Sequence, residues 1–380
     1  MRGLLLEEVV LHQVRMPLVS PFTTSFGTET ERLALMVEAR ARVDGTEVVG
    51  WGECVAQEEP TYSAEYVAGA QDVMVQHLLP RLFAAQRERP LLAETVAELL
   101  APVVGHPMAK AALEMALLDA QLRASGTSFA DHLGVLVDRV PSGVSVGIQD
   151  SVPQLLDVVA GYLDQGYRRI KLKIKPGRDV EPTRAVRERF GDIPLQVDAN
   201  AAYTLADAAV LRRLDAFDLL LIEQPLAEDD LRQHALLARQ LKTPVCLDES
   251  VVSVARAADA LAMGAASIVN VKPGRVGGYL EARRIHDLCR ANGAAVWCGG
   301  MLETGLGRTA NAALAGLPGF TLTGDISGSD RFYAEDLTEP VRMVDGWVAV
   351  SREPGVGPVP DPARLEAFGV GRQVVEALRG

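Results

Sequence analysis

The chain has 380 residues, about two and a half times a ~150-residue domain, which excludes one small module and predicts two domains. Apolar residues make up 48% and charged residues 23%, ordinary globular usage that excludes disorder and low-complexity filaments. The net charge is −12, the wrong sign for nucleic acid or an anionic membrane as partner, because both demand a basic surface.

The opening run of Leu4, Leu5 and Leu6 is broken at once by Glu7 and Glu8, which is too short for the apolar region of a signal peptide. No later segment approaches ~20 continuous apolar residues, so none is expected to span a membrane. Residues 9–14 predict a strand. Leu33, Leu35, Val37, Ala39, Ala41 and Val43 alternate with Glu38, Arg40 and Arg42, the pattern of a half-buried strand. Asp44-Gly45 then predicts a hairpin turn, and 47–52 returns beside it to make a small antiparallel sheet. Helices follow, the clearest over 108–124, with Ala109, Ala112, Leu113, Ala116, Leu117 and Ala120 on one face and Gly126 as its stop.

From about residue 140 the pattern becomes short apolar strands alternating with amphipathic helices. Eight strands are predicted, over 144–148, 170–174, 195–198, 219–223, 245–248, 267–272, 295–298 and 320–324. With seven helices between them they predict a closed α/β barrel, a (β/α)7β variant of the TIM barrel. Beyond residue 331 the Pro- and Gly-rich stretch 353–358 carries no strand-helix signal, so the tail is expected to leave the barrel. Cys54, Cys246, Cys289 and Cys298 are too few and too irregularly spaced for a disulfide framework or a paired-cysteine zinc site. A reducing cytoplasm is expected.

Charged residues at the strand ends carry the chemistry. Lys173, Asp198, Glu223, Asp248 and Lys272 lie 25, 25, 25 and 24 residues apart, one strand-helix unit each, so consecutive strands deliver them to one rim of the barrel. Three neighbouring carboxylates repel unless a cation lies among them. An oxygen-only donor set suits a hard divalent ion, Mg²⁺ before Mn²⁺ or another. The two lysines fall on the second and sixth strands, on opposite sides of a ring of eight. Lys171, two residues before Lys173 on the same strand face, is a second cation that disfavours the ammonium form of its neighbour. The arrangement suits removal of a proton from a carbon next to a carboxylate, with the metal taking up the charge of the enediolate.

One carboxylate at a strand end is as readily a helix N-cap, but five charged groups in register are not explained that way. Other signals are weaker. Gly143-Val144-Ser145-Val146-Gly147 spells a nucleophile elbow, yet its valines favour continued strand over a sharp turn. Gly300 to Gly305 has P-loop spacing, but Leu306 stands where the lysine belongs. His12, His77, His106, His132, His234 and His286 form no i, i+4 pair and are expected to be solvated or capping. A binding protein without catalysis would not need two opposed lysines as well as three carboxylates.

The motifs Lys171-Leu172-Lys173, Val197-Asp198-Ala199-Asn200, Ile222-Glu223-Gln224-Pro225, Leu247-Asp248-Glu249-Ser250 and Lys272-Pro273-Gly274-Arg275-Val276-Gly277-Gly278 resemble the muconate-lactonizing subgroup of the enolase superfamily. In that superfamily a lysine or histidine base working with Mg²⁺ is already established. Within the subgroup the chain resembles the o-succinylbenzoate synthase/N-succinylamino acid racemase family over nearly its whole length. The resemblance implies that Asp198, Glu223 and Asp248 hold Mg²⁺ and that Lys173 and Lys272 are the acid/base pair. Arg275 matches an arginine of the racemase-capable branch, and Glu249 and Asn200 are implied to orient ligands or lysine. It also implies an α+β cap over the barrel mouth. The cap would comprise 1–130 with 331–380 as its second piece, around a barrel of 131–330. Phe22, Phe26 and loop 57–62 become candidates for the substrate's variable end, and Ser145 for a substrate hydrogen bond. The implied substrate is a small carboxylate, either dehydrated to o-succinylbenzoate for menaquinone or racemised as an N-succinylamino acid, and a homo-oligomer is expected. Muconate cycloisomerase shares the framework. Dipeptide epimerases carry Asp-x-Asp after the eighth strand, where this chain has Asp325-Ile326-Ser327.

Overall fold

The computed structural model describes residues 3–23 and 27–377. A four-stranded antiparallel sheet opens the chain: β1 (Leu4–Thr23), β2 (Thr28–Val43) and β3 (Thr46–Cys54). Its fourth strand comes from the far end of the sequence. There β11 (Gly369–Glu376) pairs antiparallel with β1 from Glu8↔Glu376 to Val14↔Gly369.

The longest helix, α1 (Pro107–Ser125), lies on this sheet. Gly50 and Gly52 permit the contact, since a Cβ on either would meet a helix carbonyl, of Ala116 or Ala112, at 2.1 Å. The expected one-sided helix is buried all round, with Met108, Ala111, Glu114, Met115, Leu118, Asp119, Gln121 and Leu122 enclosed as well as the alanine face. A helix enclosed on all sides needs no polar stripe, and periodicity alone misses it. Strand β2 departs from expectation in the same way: Leu33 to Ala39 are buried without alternation. Glu38 tolerates this because His12 and Arg40 hydrogen-bond its carboxylate at 2.9 and 2.7 Å.

Seven parallel strands make the second sheet, β4 (Gly143–Val146), β5 (Arg169–Lys173), β6 (Leu195–Asp198), β7 (Ile222–Glu223), β8 (Val245–Leu247), β9 (Ile268–Val271) and β10 (Ala295–Cys298). They follow each other in order across the sheet. The predicted eighth strand, 320–324, forms no regular strand. It closes the barrel through Gly143 N to Gly324 O and Asp325 N to Cys298 O, each 2.9 Å. Arg169 supplies the missing ladder: its guanidinium donates to Val144 O at 3.2 Å and Thr323 O at 3.0 Å. Inside the barrel Leu221, Cys246, Ile268 and Trp297 form their own buried cluster, two residues below Glu223, Asp248, Asn270 and Gly299 on the same strand faces. The rim thus stands on a dry floor.

All four cysteines are buried and free. Among the described residues no helix is long and apolar enough to cross a membrane. His234 and His286, expected to be solvated or capping, are instead buried, each accepting a backbone N–H, from Leu226 at 3.2 Å and Gly319 at 3.0 Å.

Three enclosed glutamates set a pH response. Glu53 accepts from Thr304 N, Glu65 from Met108 N, and Glu114 from Leu280 N. Burial nevertheless pushes their carboxyls up from an ordinary 4.5 to about 7, 7 and 8. Between the two values the folded chain holds protons that the unfolded chain has released, so stability falls as pH rises. The melting temperature is expected to drop between pH 5 and 8 as these groups ionise. Glu114→Gln should flatten that slope, as followed by circular dichroism.

Candidate active site

The strand ends bring the five spaced residues together. Lys171 and Lys173 point from β5 to one face, Asp198 ends β6, Glu223 ends β7, and Asp248 and Lys272 directly follow β8 and β9. Lys173 Nζ donates to Asp198 Oδ2 and Asn200 Oδ1, both at 2.7 Å. Lys272 Nζ lies 2.8 Å from Asp248 Oδ2 and 3.2 Å from the Tyr62 hydroxyl. Lys171 Nζ bridges three carboxylates, Asp325 at 2.7 Å, Glu223 at 2.9 Å and Asp198 at 3.2 Å. Arg275 donates to Asp248 Oδ1 and also to the carbonyls of Val251 and Asn270.

Burial and charge oppose each other across this network. Burial works against the charged form of Lys171, yet Asp325, Glu223 and Asp198 together raise its pKa above the ordinary lysine range. The cation expected to discharge Lys173 is thus neutralised by its own carboxylates. Lys272 is raised too, against burial, by Tyr62, Glu249 and the nearby acids. Asp198 is buried but held well below the usual carboxylate range by Lys173 and Lys171. Burial, with Asp198 adding to it, pushes Glu249 up to about 7. Glu249 accepts from Asn200 Nδ2 at 3.1 Å, and its Oε2 is buried without a partner.

Strain marks the same rim. Asn200, two residues after Asp198 at the end of β6, and Gln224, directly after Glu223 at the end of β7, have φ of 41° and 35°, left-handed values that non-glycine residues adopt mainly where the surroundings enforce them. The enclosed Gln224 side chain accepts from Asp248 N at 3.0 Å and Ser250 N at 3.2 Å and donates to Ser250 Oγ at 2.8 Å. It ties the end of β7 to the turn after β8 and so sets Asp248 beside Glu223.

A cavity of about 400 Å³ lies over the rim. The barrel contributes Ser145, Lys171, Lys173, Asn200, Lys272 and Asp325, and the other sheet and its loops contribute Glu29, Arg32, Gln57, Glu58, Glu59, Thr61 and Tyr62. The sequence-based candidates whose side chains are described therefore converge. Phe22 is described only as a backbone pair of Glu29, and Phe26 lies outside the described residues. Ser145 lies within β4, as its flanking valines require, not on a nucleophile elbow.

Three participants have no role in the sequence-based reading, and a fourth, Tyr62, stands there only within loop 57–62 as a candidate for the substrate's variable end. Asp325 accepts from Arg169 at 2.7 Å as well as from Lys171. Asn270 donates to Glu223 Oε1 at 2.6 Å. Tyr62 touches both Lys272 and Asp248, with its ring 4.6 Å from the Lys272 ammonium. Gln224 was quoted within a motif but given no task. Asn270 had a signal as the inward residue two before Lys272, Tyr62 as the end of loop 57–62, and Asp325 as the first position of Asp325-Ile326-Ser327.

Among the described residues no three acidic, histidine or cysteine side chains are gathered closely enough to hold a metal ion. In this arrangement ammonium groups compensate the acids. The donor chemistry still fits a hard cation: Asp198, Glu223 and Asp248 are buried carboxylates at successive strand ends, the oxygen donors such an ion takes.

A parallel barrel with its polar groups at the carboxyl ends of the strands, under a second sheet, defines a barrel enzyme with two lysines flanking buried acids. The mandelate racemase/muconate lactonizing enzyme N-terminal domain family matches residues 6–134, and the enolase C-terminal domain-like family matches 154–364. The chain belongs to the enolase superfamily. It is 60% identical to an N-succinylamino acid racemase of Amycolatopsis over 95% of this chain and 96% of that one. It is 46% identical to an o-succinylbenzoate synthase of Geobacillus kaustophilus over 96% of both chains. A solved enolase-superfamily structure from Listeria innocua superposes with a TM-score of 0.93 at 36% identity, covering 98% of this chain and 100% of the other.

Proposed function

We propose that the protein removes the proton α to a substrate carboxylate, acting as an o-succinylbenzoate synthase, an N-succinylamino acid racemase, or both. The observation that carries this reading is the pair of lysines four strands apart in the sheet order, Lys173 and Lys272, with buried carboxylates between them. In racemisation one lysine takes the α-proton and the other returns a proton to the opposite face. In dehydration one lysine takes the proton and then donates it to the departing hydroxyl, releasing water. One set of groups therefore serves both reactions, and similarity to relatives bearing each name supports both.

Asp198, Glu223 and Asp248 would hold a divalent ion, Mg²⁺ in this reading, and such an ion supplies positive charge beside the substrate carboxylate. Asn200, Glu249, Arg275 and Lys171 orient these groups through the hydrogen bonds and ion pairs described above. Phe22, Phe26 and the 57–62 loop face the variable end of the substrate in this reading. A cap of 1–130 and 331–380 around a barrel of 131–330, a homo-oligomeric assembly and a cytoplasmic location belong to it as well. The pairing of β11 on β1 and the four free thiols support the first and last of these.

A dipeptide epimerase is not favoured. Asp325 is already paired with Arg169 and Lys171, and Ser327 stands at the second acidic position. Muconate cycloisomerase is not favoured by the relatives reported above. The test is a parallel assay of the purified protein on the dehydration substrate and on N-succinyl-phenylalanine in deuterated water. Metal-dependent exchange of the α-proton is expected. Turnover unaffected by excess chelator would refute the metal assignment, and no turnover of either substrate would refute the reading.

A further inference from the structure

Among the described residues, two cations that line the cavity are engaged by no acid, and only one of them, Arg331, is not turned away to bind backbone carbonyls beyond the end of β3. Lys171, Lys173, Lys272 and Arg308 each pair with a carboxylate, and Arg32 is turned toward the carbonyls of Val55 and Ala56. Arg331, in the short turn Ser329–Arg331 beyond the closing segment, also lines the cavity. Its Nη2 donates to Ser145 O at 2.7 Å and to the Tyr162 hydroxyl at 3.4 Å. Its guanidinium lies over the rings of Tyr162 and Phe332, 5.2 and 4.9 Å from their centroids. Among the described residues no carboxylate lies within ion-pair distance of it.

A group beside Arg331 has no partner at all. Ser145 is only 8% exposed, lines the same cavity, and has no hydrogen-bond partner for its Oγ. A buried hydroxyl without a partner is unfavourable unless something arrives to meet it. A hydroxyl donor next to a guanidinium held against two aromatic faces makes a receptor for a carboxylate, oriented before the ligand comes.

We propose that Arg331 and Ser145 bind the remote carboxylate of the substrate's acyl arm. The inference rests on the reading under Proposed function and identifies the group that reading leaves unrecognised. Both reactions proposed there act on a succinyl-bearing molecule, which has one carboxylate beside the reacting carbon and a second at the end of a short chain. The lysine end of the cavity takes the first and Arg331 takes the second. A single subsite then orients both substrates, and the acyl group counts for more than the amino-acid side chain.

Calorimetric titration of the full-length protein in Mg²⁺ tests this with N-succinyl-L-phenylalanine and N-butyryl-L-phenylalanine, which differ in the terminal carboxylate. The wild type is expected to bind the succinyl ligand more tightly by about tenfold, the effect of one charge-assisted hydrogen-bonded contact. Arg331→Met should remove that preference while leaving butyryl affinity as it was, Arg331→Lys should retain part of it, and Ser145→Ala should reduce it with the fold intact. Equal wild-type affinity for the two ligands would overturn the proposal, and so would an Arg331→Met loss shared equally by both. Failure of the functional reading is distinguishable: selective binding without α-proton exchange would retain the subsite and refute the chemistry.

Discussion

Replacing Lys272 by alanine is expected to lower racemisation of N-succinyl amino acids by about 10³-fold, the range associated with a positioned acid/base group. Tyr62 beside it does not replace it as a base, since burial raises the pKa of its hydroxyl and holds it protonated. If two bases work on opposite faces, the variant should still exchange the α-proton of one enantiomer through Lys173, without inverting it. Nuclear magnetic resonance in deuterated water, run separately on each enantiomer, reads both outcomes. Lys272→Arg separates charge from proton transfer, because it can keep a cation near Asp248 yet cannot give up its proton. Inversion by Lys272→Ala at the wild-type rate would sink the two-base assignment.

Glu223→Gln should be as damaging for a different reason. Both oxygens of this enclosed carboxylate are engaged, Oε1 by Asn270 and Oε2 by Lys171. An amide fits the same space but turns an NH₂ toward one of two donors and removes the charge that a divalent ion would need. Mg²⁺ affinity is expected to fall by at least about 100-fold, at the upper end of what metal-site changes produce, and both reactions should fall with it. Calorimetric titration of the metal measures the first without reference to turnover. A variant with unchanged metal affinity would remove Glu223 from the ligand set.

How much of this was legible follows from where each residue lies relative to a repeat. Lys173, Asp198, Glu223, Asp248 and Lys272 recur once per strand-helix unit, and a repeat that builds a barrel must deliver such residues to one rim. Their convergence was therefore predictable. Asp325 and Arg169 were not, because they act where the repeat stops. The closing segment forms no strand, and an arginine side chain stands in for its backbone ladder. Arg331 escaped because it reaches the site from a connection outside the strand repeat, and for the same reason loop 57–62 was legible as a candidate while the contact of its Tyr62 with Lys272 was not.

Local patterning failed where burial was complete. The helix Pro107–Ser125 and the middle of β2 are enclosed on both sides, so the polar face that a periodicity argument looks for does not mark their exposure. The buried histidines were misread for a related cause: His234 and His286 satisfy a ring nitrogen with a backbone N–H from another turn, a contact the sequence does not encode locally.

By itself the sequence determined the barrel, its repeat and the five charged residues, because period and spacing are properties of a chain. The tertiary structure decided how those charges are shared. Lys171 binds three acids, Asp325 is occupied from both sides, and Arg331 is left without an acid among the described residues of the same cavity. Pairing depends on distances of a few ångströms between residues far apart in the chain, and only the packed fold sets them.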